Sequence, residues 1–528
     1  MKTKLRISLN KVALIAYLYL ILPVIFFFLG WLKLYFAVPL SAALVLSLFF
    51  SAKQNKSKDD FIEIPIGQLA LMLVISLAWV YMSGIGGFVW QRPDWQARNA
   101  VLHDLINYPW PVVYETGGGL SYYLCYWMIP ALVGKLAGWN AANMALFAWS
   151  ELGVLLVQLL LVGHFKVRCG DLKTTLIPLV FILWGGLNVV GQLLVFLKGK
   201  GTMDLNSIYG WSQFQYTPNN ALLEWVFNQA VPSWIVAGLF LYERKMNESS
   251  ARNNIGEGVS GKLLHGDLNW CDKKFGHENI GNYVLLLMLL IPYSPFAALG
   301  FVPLLLADAV KRRFKGFFST SNIFAVLAIL PIFFAYYTCN GALSGASLIS
   351  LYLLDGKTLP YTLAVLVIFY ILEVGIYAVL IWHGNRRDYM FLTIIIWLVF
   401  IPLIKIGPTR DFMLRGSIIP LFMLMTYVLE TLLDGPERSF VAGHRCNTAR
   451  FIYAALVIAT LIGMYSGVGD FILTARNSAD SNIRNVADNL GTMNTTDNQE
   501  WIEYTAGSTY VSENADDTLF FGKLAKQP

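Results

Sequence analysis

Val12–Gly30, VALIAYLYLILPVIFFFLG, carries no charged side chain over its whole length. At 1.5 Å of rise per residue such a stretch covers a hydrocarbon core about 30 Å thick. Soluble amphipathic helices interrupt apolar runs with charge every turn, and this stretch does not. Two more follow at once, Tyr35–Ser51 and Ile66–Met82. Working outward, the composition agrees. Of 528 residues, 56% are apolar and 14% charged, against roughly 25% charged in soluble domains. The expected fold class is all-α, a polytopic transmembrane helical bundle whose polar groups are satisfied inside the bundle or at its surfaces.

The basic residues give an orientation. They cluster at Lys2–Lys11, Lys53–Lys58, His164–Lys173, Glu243–Lys274, Lys311–Lys315, Arg386–Arg387 and Arg438–Arg450. The positive-inside rule puts all seven in the cytoplasm. Spans are then expected at about 12–30, 35–52, 66–83, 142–163, 174–196, 222–242, 282–293, 296–309, 320–338, 361–382, 389–405, 416–433 and 451–468. These thirteen leave the N-terminus cytoplasmic and the C-terminus extracytoplasmic. Pro292 and Pro295 interrupt the pair 282–309, which reads alternatively as a half-membrane hairpin. The first helix reads as retained: its apolar run exceeds a signal h-region, and Phe26-Phe27-Phe28 stands where small residues would permit cleavage. Five scattered cysteines form no zinc or haem motif. A net charge of +6 does not point to nucleic acid. The segment 243–281 reads as a polar surface loop. The outer segments are 84–141, 197–221, 339–360 and the tail from 469, in which Tyr504, Tyr510, Leu519, Phe520 and Phe521 are expected to dock in part.

The first outer segment carries the chemistry. Arg92-Pro93-Asp94-Trp95-Gln96-Ala97-Arg98-Asn99-Ala100-Val101-Leu102-His103-Asp104 begins just after a span ends. Pro93 suits a helix start. In a helix, Asp94 and Arg98 pair at i, i+4, as do Asn99 and His103. A carboxylate at a membrane exit serves as a base or metal ligand; the structural alternative is a plain N-cap beside solvated His103 and Asp104. Further on, Tyr122, Tyr123, Tyr126 and Trp127 crowd one short segment. Aromatics of this kind favour the lipid–water interface, so 119–137 is expected to be an interfacial helix.

With these residues in view, 84–165 resembles the opening of the GT-C superfamily of integral membrane glycosyltransferases, in the layout of lipid A aminoarabinose transferases and protein O-mannosyltransferases. In that pattern a span leads to an outer loop with an acidic residue near its start, then an interfacial helix of the form Pro-Leu-Tyr-Tyr-Trp … Lys-Leu-Phe-Gly. Leu120-Ser121-Tyr122-Tyr123 and Gly134-Lys135-Leu136-Ala137-Gly138 occupy those places here, and Asp94 the acidic one. Many members have two adjacent acidic residues there; this chain has Asp94-Trp95, which leaves the use of a divalent cation open. The resemblance divides the chain into 1–65, two additional N-terminal helices; 66–468, a GT-C-like catalytic core; and 469–528, an extracytoplasmic tail.

Other positions join Asp94. Gly407–Pro420 contains Arg410, Asp411 and Arg415 on the same side, where charge is expensive. Arginine binds phosphate oxygens in pairs. Arg415 and Arg410, with Lys405 snorkelling to the same surface, are candidates for a donor phosphate; a structural pair with Asp411 is the alternative. Trp211, Gln213, Gln215 and Tyr216 form an aromatic-polar run suited to sugar faces and hydroxyls, and Tyr122 and Glu224 complete the substrate candidates. Tyr293-Ser294-Pro295 and Asp355 carry weaker signals, and Glu151 and Glu373 are expected to be satisfied within the bundle. No Gly-rich phosphate loop follows a strand, which argues against an ATP-driven pump.

The reading reached is a glycosyltransferase of the cytoplasmic (inner) membrane. The resemblance implies a polyprenyl-phosphate-linked sugar as donor and a glycan or lipid as acceptor, on the extracytoplasmic face, in cell-envelope assembly. Asp94 would be the base, with His103 and Asp104 beside it. Arg415 would hold the leaving phosphate, and no nucleotide is expected at the site. Rival readings are a transporter or flippase of a lipid-linked glycan, which would bring inverted repeats with broken helices at matched positions, and a polysaccharide polymerase or ligase.

Overall fold

A computed structural model describes residues 4–54, 60–165, 173–199, 210–253, 282–340, 347–348, 357–406, 410–440, 446–480, 493, 510–512 and 514–527. Nearly all of this is helix. Among the described residues, seven helices are long and apolar enough to cross a membrane, and eight if a bent pair at 174–197 counts as one span. The chain is therefore a multi-pass helical membrane protein.

β1 (Lys4–Ser8) and β2 (Phe61–Pro65) pair antiparallel, Arg6 opposite Glu63. Between them α1 (Leu9–Trp31) and α2 (Leu34–Gln54) form a hairpin, so both strands lie at one end of the bundle, the sheet end. α3 (Ile66–Met82) leaves from β2 toward the opposite end. There the loop 84–127 packs, with α4 (Trp95–Asn107) and a 3₁₀ turn (Leu124–Trp127). α5 (Met128–Phe165) returns to the sheet end, where Lys245 Nζ reaches the Gly163 carbonyl at 2.7 Å. α6 (Lys173–Leu183) and α7 (Asn188–Leu197) are two halves bent by 40° about Trp184–Leu187. α8 (Asn219–Asn253) is the central helix. Leu222–Tyr242 is buried almost all round, as an apolar helix inside a bundle should be. Helix thus continues to Asn253, eleven residues past the expected end of that span.

α9 (Tyr283–Leu290) and α10 (Pro295–Lys311) make a hairpin. Eight residues of α9 rise about 12 Å. Tyr283, at its start, donates to Asp308 near the end of α10 at 2.6 Å, so both ends meet. At the turn, Tyr293 donates to the Leu20 carbonyl, halfway along α1, at 2.6 Å. Pro295 at the first position of α10 and the Ser294 cap set the reversal. These contacts fit the hairpin reading of 282–309, with its turn level with the middle of α1. α11 (Thr320–Tyr337), α12 (Leu359–Tyr370), a π-helical turn (Ile371–Gly375), α13 (Ile376–Asn385), α14 (Tyr389–Phe400), the short α15 (Asp411–Gly416), α16 (Ile418–Phe440) and α17 (Cys446–Ala479) complete the bundle. β3 (Ser347–Leu348) and β4 (Ile404–Lys405) pair antiparallel. α17 runs eleven residues past the expected end of its span, which brings Asp470 into the helix.

Two further expectations change. The interfacial helix 119–137 begins only at Leu124; Gly119 and Leu120 instead make bridges to Val113 and Val511. Its helical arm ends at Gly138, whose φ of 83° breaks α5 into two arms. The tail docks at Tyr510, Phe520 and Phe521, whereas Leu519 is exposed and Tyr504 lies outside the described residues. Ala525 bridges Leu32, and Ser512 N–H donates to the Gly119 carbonyl at 2.9 Å. The tail is held by backbone bonding as well as by aromatic burial.

Candidate functional site at the loop end

Asp94 occupies the N-cap position of α4 but makes no capping hydrogen bond. Its carboxylate is 29% exposed and stands 3.6 Å from Arg98, the expected i, i+4 pair. Arg98 itself is buried. Its Nε donates to the Trp225 carbonyl at 2.6 Å, and it bonds the Tyr510 hydroxyl. Its Nη1 is buried with no partner among the described residues. Tyr510 stacks on Tyr122 at 4.2 Å, and Tyr122 lies 4.7 Å from Tyr123. Tyr123 in turn sits within electrostatic reach of Asp411 and Arg415. Arg415 pairs with Asp411 at 3.2 Å, and its Nε is buried without a partner among the described residues. A continuous line of polar and aromatic groups therefore joins Asp94 and Arg98 to Arg415, with an unmet N–H at each arginine.

The remaining candidates distribute differently. Asp104 is not solvated: it is fully buried, and its Oδ2 accepts from the Tyr114 hydroxyl at 2.6 Å and from the Met493 N–H at 2.9 Å. Burial, then the Asp104 charge, pushes the Tyr114 hydroxyl well above its ordinary pKa, so it stays the proton donor in that bond. His103 lies 3.7 Å from Asp104 and edge-on to Trp139. It does not pair with Asn99, which donates to Gln91 at 2.9 Å. Arg410 donates to the Gln213 carbonyl at 2.7 Å, and the Gln213 side chain accepts from Lys357 at 3.2 Å. Lys405 lies in β4 opposite Ser347. Gln215 is half-buried beside Gly210.

Tyr216 turns inward, its hydroxyl on the Leu398 carbonyl and its ring 4.9 Å from Phe369. Trp211 packs flat on Gly191 and bonds Glu373. The Tyr216 ring, fully buried, offers no open face for a sugar, whereas Trp211 is only half-buried.

Glu224 belongs to a buried network that the sequence reading did not assemble. Arg92 donates to Glu224 at 2.8 Å and to Asp470 at 2.7 Å. Asn220 donates to the same two carboxylates at 2.9 and 3.3 Å, and Trp79 donates to Asn220 at 2.7 Å. One guanidinium between two carboxylates fastens the start of the outer loop to α8 and α17. Removing one partner of such a group leaves an uncompensated buried charge. Asp470 was missed because the apolar run was ended at residue 468. Arg98 is expected as a partner of Asp94 but not as a group facing the site.

Among the described residues no group of three or more histidine, cysteine or carboxylate side chains is placed to hold a metal. No family model, curated protein or solved structure matches the chain.

Proposed function

We infer that the chain is a glycosyltransferase of the GT-C kind, using a polyprenyl-phosphate-linked sugar and working at the loop end of the bundle. One observation carries this reading: a half-open carboxylate at Asp94 shares a line of aromatics with two arginines, Arg98 and Arg415, that each keep an unmet buried N–H. In transfer, the acceptor hydroxyl oxygen bonds the anomeric carbon while the bond from that carbon to the phosphate oxygen breaks. Asp94 takes the hydroxyl proton. The lipid phosphate leaves with its electron pair, and guanidinium N–H groups aimed at it stabilise the charge. Tyr123, half-buried, offers aromatic surface between the two charged ends, with Tyr122 packed behind it against Tyr510. On this reading the hairpin at 282–309 reduces thirteen crossings by two, to eleven, and leaves the termini on opposite sides. The test is transfer from a synthetic polyprenyl-phosphate sugar by the purified protein in lipid nanodiscs. Turnover lost in Asp94→Asn, with unchanged folded yield, supports the reading; near-normal turnover removes Asp94 as the base.

A transporter of a lipid-linked glycan is the second reading, favoured by two features: the break between α6 and α7 and the hairpin of α9 and α10. Broken helices of this kind line transport sites. Movement of a fluorescent lipid-linked glycan across proteoliposomes, retained in Asp94→Asn, separates it from transfer.

A further inference from the structure

Glu373 lies in the π-helical turn Ile371–Gly375, between α12 and α13, and its side chain is buried. π-helical turns inside α-helices often mark functional sites. Opposite it stands the break in the α6–α7 pair. Leu187 N–H donates to the Leu372 carbonyl at 3.1 Å, which ties the break to the π-helical turn. The carboxyl group rests directly on Gly186: a Cβ there would collide with Oε2 and Cδ. Gly463 is excluded from alanine in the same way, by Tyr377 and the Gly185 carbonyl, and Tyr377 donates to that carbonyl at 3.1 Å. Gly186 is thus the floor of a cradle filled by the carboxyl group, and Gly463 lets Tyr377 and the Gly185 carbonyl close up beside it.

The cradle supplies almost nothing that would hold a carboxylate as an anion. Trp211 bonds it, but Oε1 has no hydrogen-bond partner among the described residues. The sequence reading, which expected Glu373 to be satisfied within the bundle, fails at this oxygen. No lysine or arginine stands on α7 or α12, and α13 brings only Tyr377 and, ten residues along from Glu373, His383. The nearest titratable group to the carboxyl is Tyr377. Next to the break, Asn188 is also buried, with an unpartnered Nδ2. An unpaired carboxylate in such surroundings is costly, whereas the acid form is neutral and can itself donate. An open apolar groove of about 390 Å³, lined by Val189, Ile458, Leu461, Ile462 and Tyr465, adjoins the cradle through the neighbours of Asn188 and Gly463.

We propose that Glu373, cradled by Gly186 at the α6–α7 break, is a proton-binding site within the membrane-spanning bundle, carrying its proton at neutral pH and exchanging it beside the Val189–Tyr465 groove. The proton adds to the free Oε1 and leaves from it, with no change elsewhere in the carboxyl group. The site is separate from the loop-end chemistry and holds whether the chain transfers or transports a glycan.

The test uses full-length protein in nanodiscs and dicyclohexylcarbodiimide, an apolar reagent that adds to protonated carboxyl groups. Peptide mass spectrometry should find the adduct on Glu373, with labelling that falls about tenfold per pH unit once the proton begins to leave. Glu373→Gln should remove that adduct without changing folded yield. Because the wild-type labelling profile needs no variant, a poorly folding substitution leaves the test intact. No adduct on Glu373 at any pH, or an adduct confined to Glu151, overturns the proposal. Labelling blocked by sodium ions at constant pH also overturns it, in favour of a metal-cation site.

Discussion

Two aspartates at opposite ends of the bundle show what a charge is for. At the sheet end, Asp308 is fully buried and both oxygens are taken. Oδ1 meets Tyr389 and Arg244, the latter at 3.4 Å; Oδ2 meets Tyr283 at 2.6 Å and Arg312 at 2.7 Å. It ties α8, α9, α10 and α14 together. At the loop end, Asp94 has one ion contact at 3.6 Å and remains partly open. Its carboxylate secures little of the fold. The same residue type is a rivet in one place and is left open in the other, and the difference is the number of groups that already occupy its lone pairs.

That contrast breaks most sharply under paired substitution. Asp94→Asn should lower glycosyl transfer by about 10²–10⁴-fold, the usual contribution of a general base, with folded yield unchanged. Turnover per folded molecule decides it. Asp308→Asn should do the reverse. Leaving Arg244 and Arg312 around a neutral group costs about 3–5 kcal/mol, read as lost monodisperse protein in detergent size exclusion, while the molecules that do fold keep their turnover. If Asp94→Asn instead empties the folded peak, the comparison collapses.

A smaller effect sharpens the loop end. Arg415→Lys keeps charge but loses the planar fork. Hydrogen bonds to charged groups contribute about 1.5–3 kcal/mol, so donor binding, followed by titration with a polyprenyl-phosphate sugar, should weaken by roughly ten- to a hundredfold. An unchanged affinity would return Arg415 to a structural pair with Asp411. The smallest effect concerns the tail. Ser512 Oγ accepts from Gly119 N–H at 2.9 Å. Ser512→Ala should loosen the strap by about 1 kcal/mol, detected as faster proteolysis near Tyr510 with little change in the melting of the bundle.

The loop-end candidates were legible to different depths, for a physical reason in each case. Asp94 and Arg98 are four apart on one helix, so their pairing follows from helical spacing. Glu224 stood out as a carboxylate inside an apolar run, but its partners did not. Arg92 and Asp470 are separated from it by 132 and 246 positions, and no local pattern joins them. Tyr216 misled for a related reason: a polar-aromatic run looks the same whether its rings face water or a neighbouring helix. Glu373 was noticed as a buried acid, yet whether an acid is satisfied depends on atoms from other elements.

The sequence by itself determined that this chain is a multi-pass helical bundle, because a run such as Val12–Gly30 is stable as helix in lipid and has no comparable place in water. It also marked single helix starts through local caps and prolines, such as Ser294 and Pro295, although several helix bounds lie away from those expected. The tertiary structure decided that the α9–α10 turn meets the middle of α1, since the Tyr283–Asp308 and Tyr293–Leu20 bonds exist only once the helices are packed. It likewise decided which charges are closed and which stay open. Burial and hydrogen bonding are properties of neighbours in space, and helices far apart in the chain become neighbours only in the folded bundle.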